Sequence, residues 1–128
     1  HGVFARAEVD VFASTHTCLP ALRAVRVEGG SVSGWVVNNG ATGMPNFRAD
    51  LAGLCTRIGQ SPSPHPSLGE VQVQGAYVAL LPARFDAARW HADFLAQWPV
   101  GSAAWLSYWQ RISQGPAFAV ERAMTGYR

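Results

Sequence analysis

Hydrophobic and polar positions divide the chain into a strand-rich first part and a helical last part. Residues 22–28 alternate apolar side chains with Arg23 and Arg26, as a half-exposed strand does. A Glu-Gly-Gly turn at 28–30 favours a hairpin between this run and the next. The predicted strands are 9–13, 22–28, 31–37, 51–58 and one long or two short strands within 70–84. Residues 4–8 fit the last turn of a helix.

Two helices are predicted after residue 85. Asp86 is a suitable N-cap for a helix over 87–98, which Pro99 ends, and a second helix over 103–113 precedes a Gly-Pro pair. Strands followed by helices, without alternation, indicate an antiparallel or mixed sheet with helices packed on it. We therefore expect an α/β (α+β) fold. Tryptophans on these helices favour helix–sheet core packing, whereas an exposed Trp patch would indicate a partner surface or a homo-oligomer.

Length and composition exclude several classes of protein. The 128 residues suit one domain or a large part of one, so we interpret 1–128 as a single partial domain, with an exposed proline-rich loop at 61–67 and a C-terminal helical segment at 86–128. A hydrophobic content of 48% against 14% charged residues argues against disorder. No apolar run approaches the ~20 residues of a membrane span. The ten basic residues are scattered arginines, so nucleic-acid binding is not expected.

The N-terminal sequence lacks the pattern of a secretory signal, which favours a cytoplasmic location and reduced thiols at Cys18 and Cys55. The chain begins at His1 without an initiator Met, and we interpret it as the C-terminal part of a longer protein.

The segment VDVFASTHTCLP, residues 9–20, carries the clearest candidate chemistry. An apolar strand ends in a polar turn that holds His16 and Cys18, two residues apart, and Pro20 stiffens the exit from the turn. Imidazole and thiolate groups are good ligands for transition metals, and a buried strand fixes where such ligands point. The pattern therefore predicts a metal site at this strand end.

Three motifs resemble those of the calcineurin-like metallophosphoesterases. Asp10 to Pro20 is similar to the family's strand-and-loop motif aDivvfGHTHxP, and Asn38 to Pro45 is similar to its NPGSvGxP loop. Residues 81–86, LPARFD, resemble the vpYD sequence that precedes a C-terminal helix in small bacterial members. The motifs occur in the family's order and cover roughly residues 9 to 100, which leaves the last predicted helix unexplained.

The resemblance implies the C-terminal half of a metallophosphoesterase-like α/β sandwich with two divalent metal ions (Mn, Fe, Zn or Mg) at the strand ends. It places His16 and Cys18 at the two ligand positions of the GHTH motif, and His1 is a third candidate, as a remnant of the family's His-Gly loop. An alternative register puts Ala13 to His16 over G-H-x-H, which makes His16 the second ligand and breaks the Asp and Pro matches. Cys18 stands where the family has His, which leaves the identity of the metal open, because a thiolate favours zinc or iron over magnesium or manganese.

The family's D-x-H, G-D-x-x-D and G-N-H-[DE] motifs, which supply most metal ligands, do not occur in this sequence. We expect them in the missing N-terminal half of the same protein. The implied reaction is hydrolysis of a phosphate mono- or diester by a metal-activated water, with His16 as the catalytic residue and a small phosphoester or a nucleotide as substrate. The alternative is a non-catalytic, partner-binding module that keeps the sheet and has lost the site.

Residues of the second motif and after it are candidates for contacts to the substrate. Asn38 and Asn39 either bond to the backbone or approach the substrate phosphate, whereas Gly40 serves a backbone turn. Asn46 and Arg48 follow, and either could donate a hydrogen bond to the phosphate. The ordinary alternative for Arg48 is a solvated surface arginine.

Overall fold

A computed structural model describes residues 2–17 and 19–124. The first of two sheets contains β1 (Val11–Ser14), β2 (Ala21–Arg26) and β3 (Val32–Asn38), in the order β1-β3-β2. β2 and β3 form the predicted antiparallel hairpin, whose turn includes Gly29 and Gly30 at positive φ. β1 pairs with β3 in parallel. The strands predicted from 9, 22 and 31 onward are therefore confirmed, with shifts of one or two residues at their ends.

The second sheet is wholly antiparallel. It contains β4 (Gly53–Gly59), β5 (Gly69–Val73) and β6 (Ala76–Ala83), in the order β4-β6-β5. Gln74 and Gly75 form the turn between β5 and β6, and both have positive φ, as tight hairpin turns require. Residues 70–84 thus form two strands rather than one. The structure has two sheets, where the sequence pattern predicted one sheet.

The two sheets pack against each other through one apolar cluster. β2 and β3 contribute Leu22 and Val37, and β5 and β6 contribute three further buried side chains, Val71, Val78 and Leu80. The residues on both sides are almost fully excluded from solvent, and Leu22, Val37, Val78 and Leu80 are 0% exposed. Burying side chains of this size supplies about 1.5–3 kcal/mol each, so this cluster holds the sheets together.

Four helices complete the described part of the chain: α1 (Val3–Ala7), α2 (Ala87–Gln97), α3 (Ala103–Gln114) and α4 (Val120–Ala123). Asp86 caps α2 as predicted, since its carboxylate accepts the backbone N–H of Arg89 at 3.0 Å. α2 and α3 meet through aromatic rings, with Phe94 stacked on Trp109 at 6.0 Å between centroids. The mixed α+β composition is confirmed. No helix among the residues described is long and apolar enough to cross a membrane.

The C-terminal segment returns to the sheets. α4 lies within the predicted helical segment 86–128, but the sequence pattern does not indicate its bounds, because its four residues carry no periodic pattern. Ala123 is buried beside Phe47 and Leu54, and the Phe47 and Phe118 rings stack at 6.0 Å. The segment therefore covers the chain that runs from β3 to β4. The proline-rich residues 61–67 form no regular element and are mostly exposed.

Candidate functional site

The parallel pairing of β1 and β3 brings two loops to one edge of the first sheet. Val11 pairs with Trp35 and Ser14 with Asn38, so both strands end at the same level. The backbone N–H of Asn39 extends the pairing by donating to the Ser14 carbonyl at 3.3 Å. Parallel strands present their carboxyl ends together. Two of the three motifs that carry the family resemblance consequently lie side by side.

His16 is bonded directly to the second loop through its backbone. Its N–H donates to the Gly40 carbonyl at 2.8 Å, and the Thr15 hydroxyl donates to the same carbonyl at 3.3 Å. His16 has a φ of 73°, a left-handed conformation in which histidine is more common than most residues. The residue is exposed. The imidazole is thus presented at the surface from a turn that hydrogen bonds hold.

Gly40 is the point where the two loops meet, and its position favours a residue without a side chain. It has a φ of +67°, and a Cβ would overlap Oδ1 of Asn46 and lie 3.0 Å from Cγ of Pro20. Pro20 is itself buried. The lack of a side chain therefore allows the Gly40 carbonyl to reach His16, as the backbone role predicted for this glycine requires.

Asn38 and Asn39 are both buried and engaged with the protein itself. The Asn38 amide donates to the Ser14 hydroxyl at 2.9 Å, and its oxygen accepts the Gly40 N–H at 2.7 Å. The Asn39 amide donates to the Leu54 carbonyl at 2.9 Å. Of the two roles left open for these residues, the contacts observed are those of bonds that shape the loop.

Asn46 is the residue whose importance the sequence did not reveal. It is 0% exposed, and its amide nitrogen donates to the carbonyls of Ala41 and Met44 at 2.6 and 3.1 Å. Its oxygen accepts the Ala41 N–H at 2.8 Å. One side chain thus bonds to both the N–H and the carbonyl of Ala41 and closes the loop. The only signal in the sequence was an Asn in a loop rich in Asn, Gly and Pro, which fits a phosphate contact equally well.

Arg48 lies beyond this loop and is exposed. Its backbone N–H donates to the Phe118 carbonyl at 2.9 Å, and the residue lines a hollow of about 310 Å³ beside α4. The structure therefore places Arg48 against the C-terminal segment. Its predicted contact with a substrate phosphate stays a prediction.

The other two candidate ligands, His1 and Cys18, lie outside the described residues. Across residues 2–17 and 19–124, no group of three or more His, Cys, Asp and Glu side chains is arranged to hold a metal ion. Those residues alone consequently do not fit a two-metal centre, and His16 is the candidate ligand they offer at this edge. His91 is placed elsewhere, with Nε2 3.1 Å from the Ile112 carbonyl and its ring against Trp109.

Comparison with known proteins gave no match, whether with protein-family models, with curated proteins or with solved structures. The resemblance to the calcineurin-like metallophosphoesterases therefore depends on the three motifs and on the positions that the fold gives them.

Proposed function

We propose that this chain forms the C-terminal half of a metallophosphoesterase-like α/β sandwich and contributes His16 to its metal centre. The observation that carries the proposal is the bond from the His16 N–H to the Gly40 carbonyl, at 2.8 Å. It joins the loop that resembles GHTHxP to the loop that resembles NPGSvGxP. His16 and Asn38, which belong to these two motifs, are 22 residues apart in the sequence. The pairing of β1 with β3 brings both motifs to one edge of a sheet.

Further support comes from the rigidity of this edge. Asn38, Asn46 and Gly40 fix the second loop through buried hydrogen bonds and close packing. The backbone of His16 is bonded to this loop, so the position of its Cα relative to the loop is fixed, and a metal site needs ligands that are held in position. Since the described residues supply too few ligands, the proposal takes the others from the N-terminal half of the same protein. The chemistry supplied by two bound divalent ions in such centres is polarisation of the phosphate and activation of a water molecule.

The test is hydrolysis of bis(p-nitrophenyl) phosphate and p-nitrophenyl phosphate by the complete gene product, with Mn²⁺, Zn²⁺ or Mg²⁺ added separately. We expect metal-dependent turnover that His16→Ala lowers by about 100-fold or more, because even residues that only support a metal ligand are worth 10–100-fold. His65→Ala is the matched control, since His65 is exposed in the proline-rich loop. Its rate should equal that of the wild type.

Two outcomes would contradict the proposal. Turnover that His16→Ala leaves unchanged would remove His16 from the site. A complete gene product that hydrolyses neither ester with any of the three ions would favour the alternative, a non-catalytic module that has kept the sheet.

A further inference from the structure

A cleft of about 470 Å³ lies between the loop that holds Gly40 and the start of α2. This volume is within the range of small-molecule sites in proteins, about 300–1,000 Å³. Residues from two parts of the chain, the loop after β3 and the segment 85–93, form its lining: Gly43, Phe85, Asp86, Arg89, Trp90 and Asp93.

Two aromatic side chains give the cleft its apolar lining. Phe85 immediately precedes α2 and is 39% exposed, so a large part of its ring is open to a ligand. Trp90, in the second turn of α2, is partly buried and held by an edge-on contact with Phe94 at 6.3 Å. Aromatic rings of this kind stack with flat heterocycles such as nucleobases.

The polar side chains of the cleft supply both acceptors and donors of hydrogen bonds, namely the carboxylates of Asp86 and Asp93 and the guanidinium of Arg89. The Asp86 carboxylate uses one oxygen, Oδ1, to cap α2, and Asp93 lies 3.8 Å from the Arg89 side chain in an ion pair that is open to solvent. An ionised carboxylate accepts hydrogen bonds and cannot donate them. A ligand that stacks here and also bonds to these side chains therefore needs N–H groups for the carboxylates and an acceptor for Arg89, as in a base that has both an amino group and ring nitrogens.

One residue of the cleft, Gly43, belongs to the loop that bonds to the candidate metal edge. Gly43 is three residues from Gly40, so their Cα atoms are at most about 11 Å apart along the chain. The Gly40 carbonyl in turn accepts the His16 N–H. The geometry points to a binding site for the nucleobase of a nucleotide substrate whose phosphate lies at the His16 edge. This inference rests on the proposed function and specifies its substrate class.

The test uses adenosine, which has the base and sugar and lacks the phosphate. Binding to the wild-type chain is measured by isothermal titration calorimetry without added metal, with ribose and choline as comparison ligands. We expect saturable binding of adenosine and none of ribose. Because neither phosphate nor metal takes part, this result is independent of whether the complete protein hydrolyses phosphate esters, so each proposal can fail without the other.

Three variants locate the binding. A Cβ at Gly43 would meet nothing within 4 Å, so Gly43→Leu should fold normally and, by adding bulk to the wall of the cleft, weaken adenosine binding. Trp90→Ala should weaken it by about tenfold or more, the usual effect of losing a stacking partner. Trp98→Ala is the matched control, because Trp98 follows the same helix, is 46% exposed and does not line the cleft. It should bind as the wild type does.

Absence of saturable adenosine binding would overturn the inference, as would binding that Gly43→Leu leaves intact. Binding of choline in preference to adenosine would show that the aromatic and acidic groups form a cation site instead, and would overturn it equally.

Discussion

Replacing Asn46 by Ala removes the side chain that closes the loop after β3. The variant loses three hydrogen bonds, two donated to the carbonyls of Ala41 and Met44 and one accepted from the Ala41 N–H. The Ala41 carbonyl keeps a second partner, the Leu54 N–H at 2.8 Å. The Ala41 N–H loses the acceptor that Asn46 provides. Asn46 is 0% exposed, so this bond lies where its side chain is fully buried.

The expected loss of stability follows from these contacts. A buried hydrogen bond contributes about 1 kcal/mol net, and an unpaired buried group costs about 1–3 kcal/mol. Three bonds therefore give a loss of about 3 kcal/mol in the free energy of unfolding. With an unfolding entropy of about 2.1 cal/mol/K per residue, this corresponds to a fall of about 10 °C in Tm for 128 residues.

Urea denaturation followed by Trp fluorescence and by circular dichroism measures the change. Gln72→Ala is a suitable control, because Gln72 is an exposed residue of β5 and its loss should change stability by less than about 0.5 kcal/mol. An Asn46→Ala variant as stable as that control would refute the view that this amide holds the loop.

A double-mutant cycle tests the contact between Asn46 and position 40 directly. Gly40→Ala alone forces a Cβ into Oδ1 of Asn46 at a φ of +67°. In the double variant that oxygen is gone and only the backbone strain and the contact with Pro20 remain. The double variant should therefore lose less stability than the sum of the two single losses, by about 1 kcal/mol or more. Strict additivity would show that the two residues do not meet.

The remaining predictions concern the core and a helix cap. Leu80→Ala should cost about 2–5 kcal/mol, because Leu80 is 0% exposed between the sheets, whereas Leu106→Ala at a 70% exposed position should cost under about 1 kcal/mol. Ser102→Ala should cost about 1 kcal/mol, since the Ser102 hydroxyl accepts the Trp105 N–H at the start of α3. Ser107→Ala, at an exposed position within α3, should be neutral or slightly stabilising. Urea denaturation measures all four, and equal losses within either pair would contradict the assigned contacts.

The elements could be predicted from the sequence because their signals are local. The alternation of apolar residues with Arg23 and Arg26 marked β2, and Asp86 with Pro99 marked both ends of α2. What could not be predicted were the partners of each strand. The parallel pairing of β1 with β3 and the division into two sheets depend on contacts between distant residues, and no local pattern encodes them.

The candidate site could also be predicted only as far as its signals are local. The motif around His16 and the one from Asn38 onward were visible in the sequence, and the structure brings their backbones together at Gly40. Bonds of Asn38 and Asn39 within the protein were one of two alternatives and are observed, whereas their contact with a substrate phosphate stays a prediction. The role of Asn46 depends on where the loop folds back, so its residue type alone could not reveal it. Contacts of His1 and Cys18 lie outside the described residues, and their ligand roles stay predictions.

The most direct test of the central claim is the metal content of the purified complete gene product, measured by inductively coupled plasma mass spectrometry. We predict that the wild type and His65→Ala carry the same number of divalent metal ions per chain and that His16→Ala carries fewer. Equal metal content in all three proteins would contradict the assignment of His16 as a ligand.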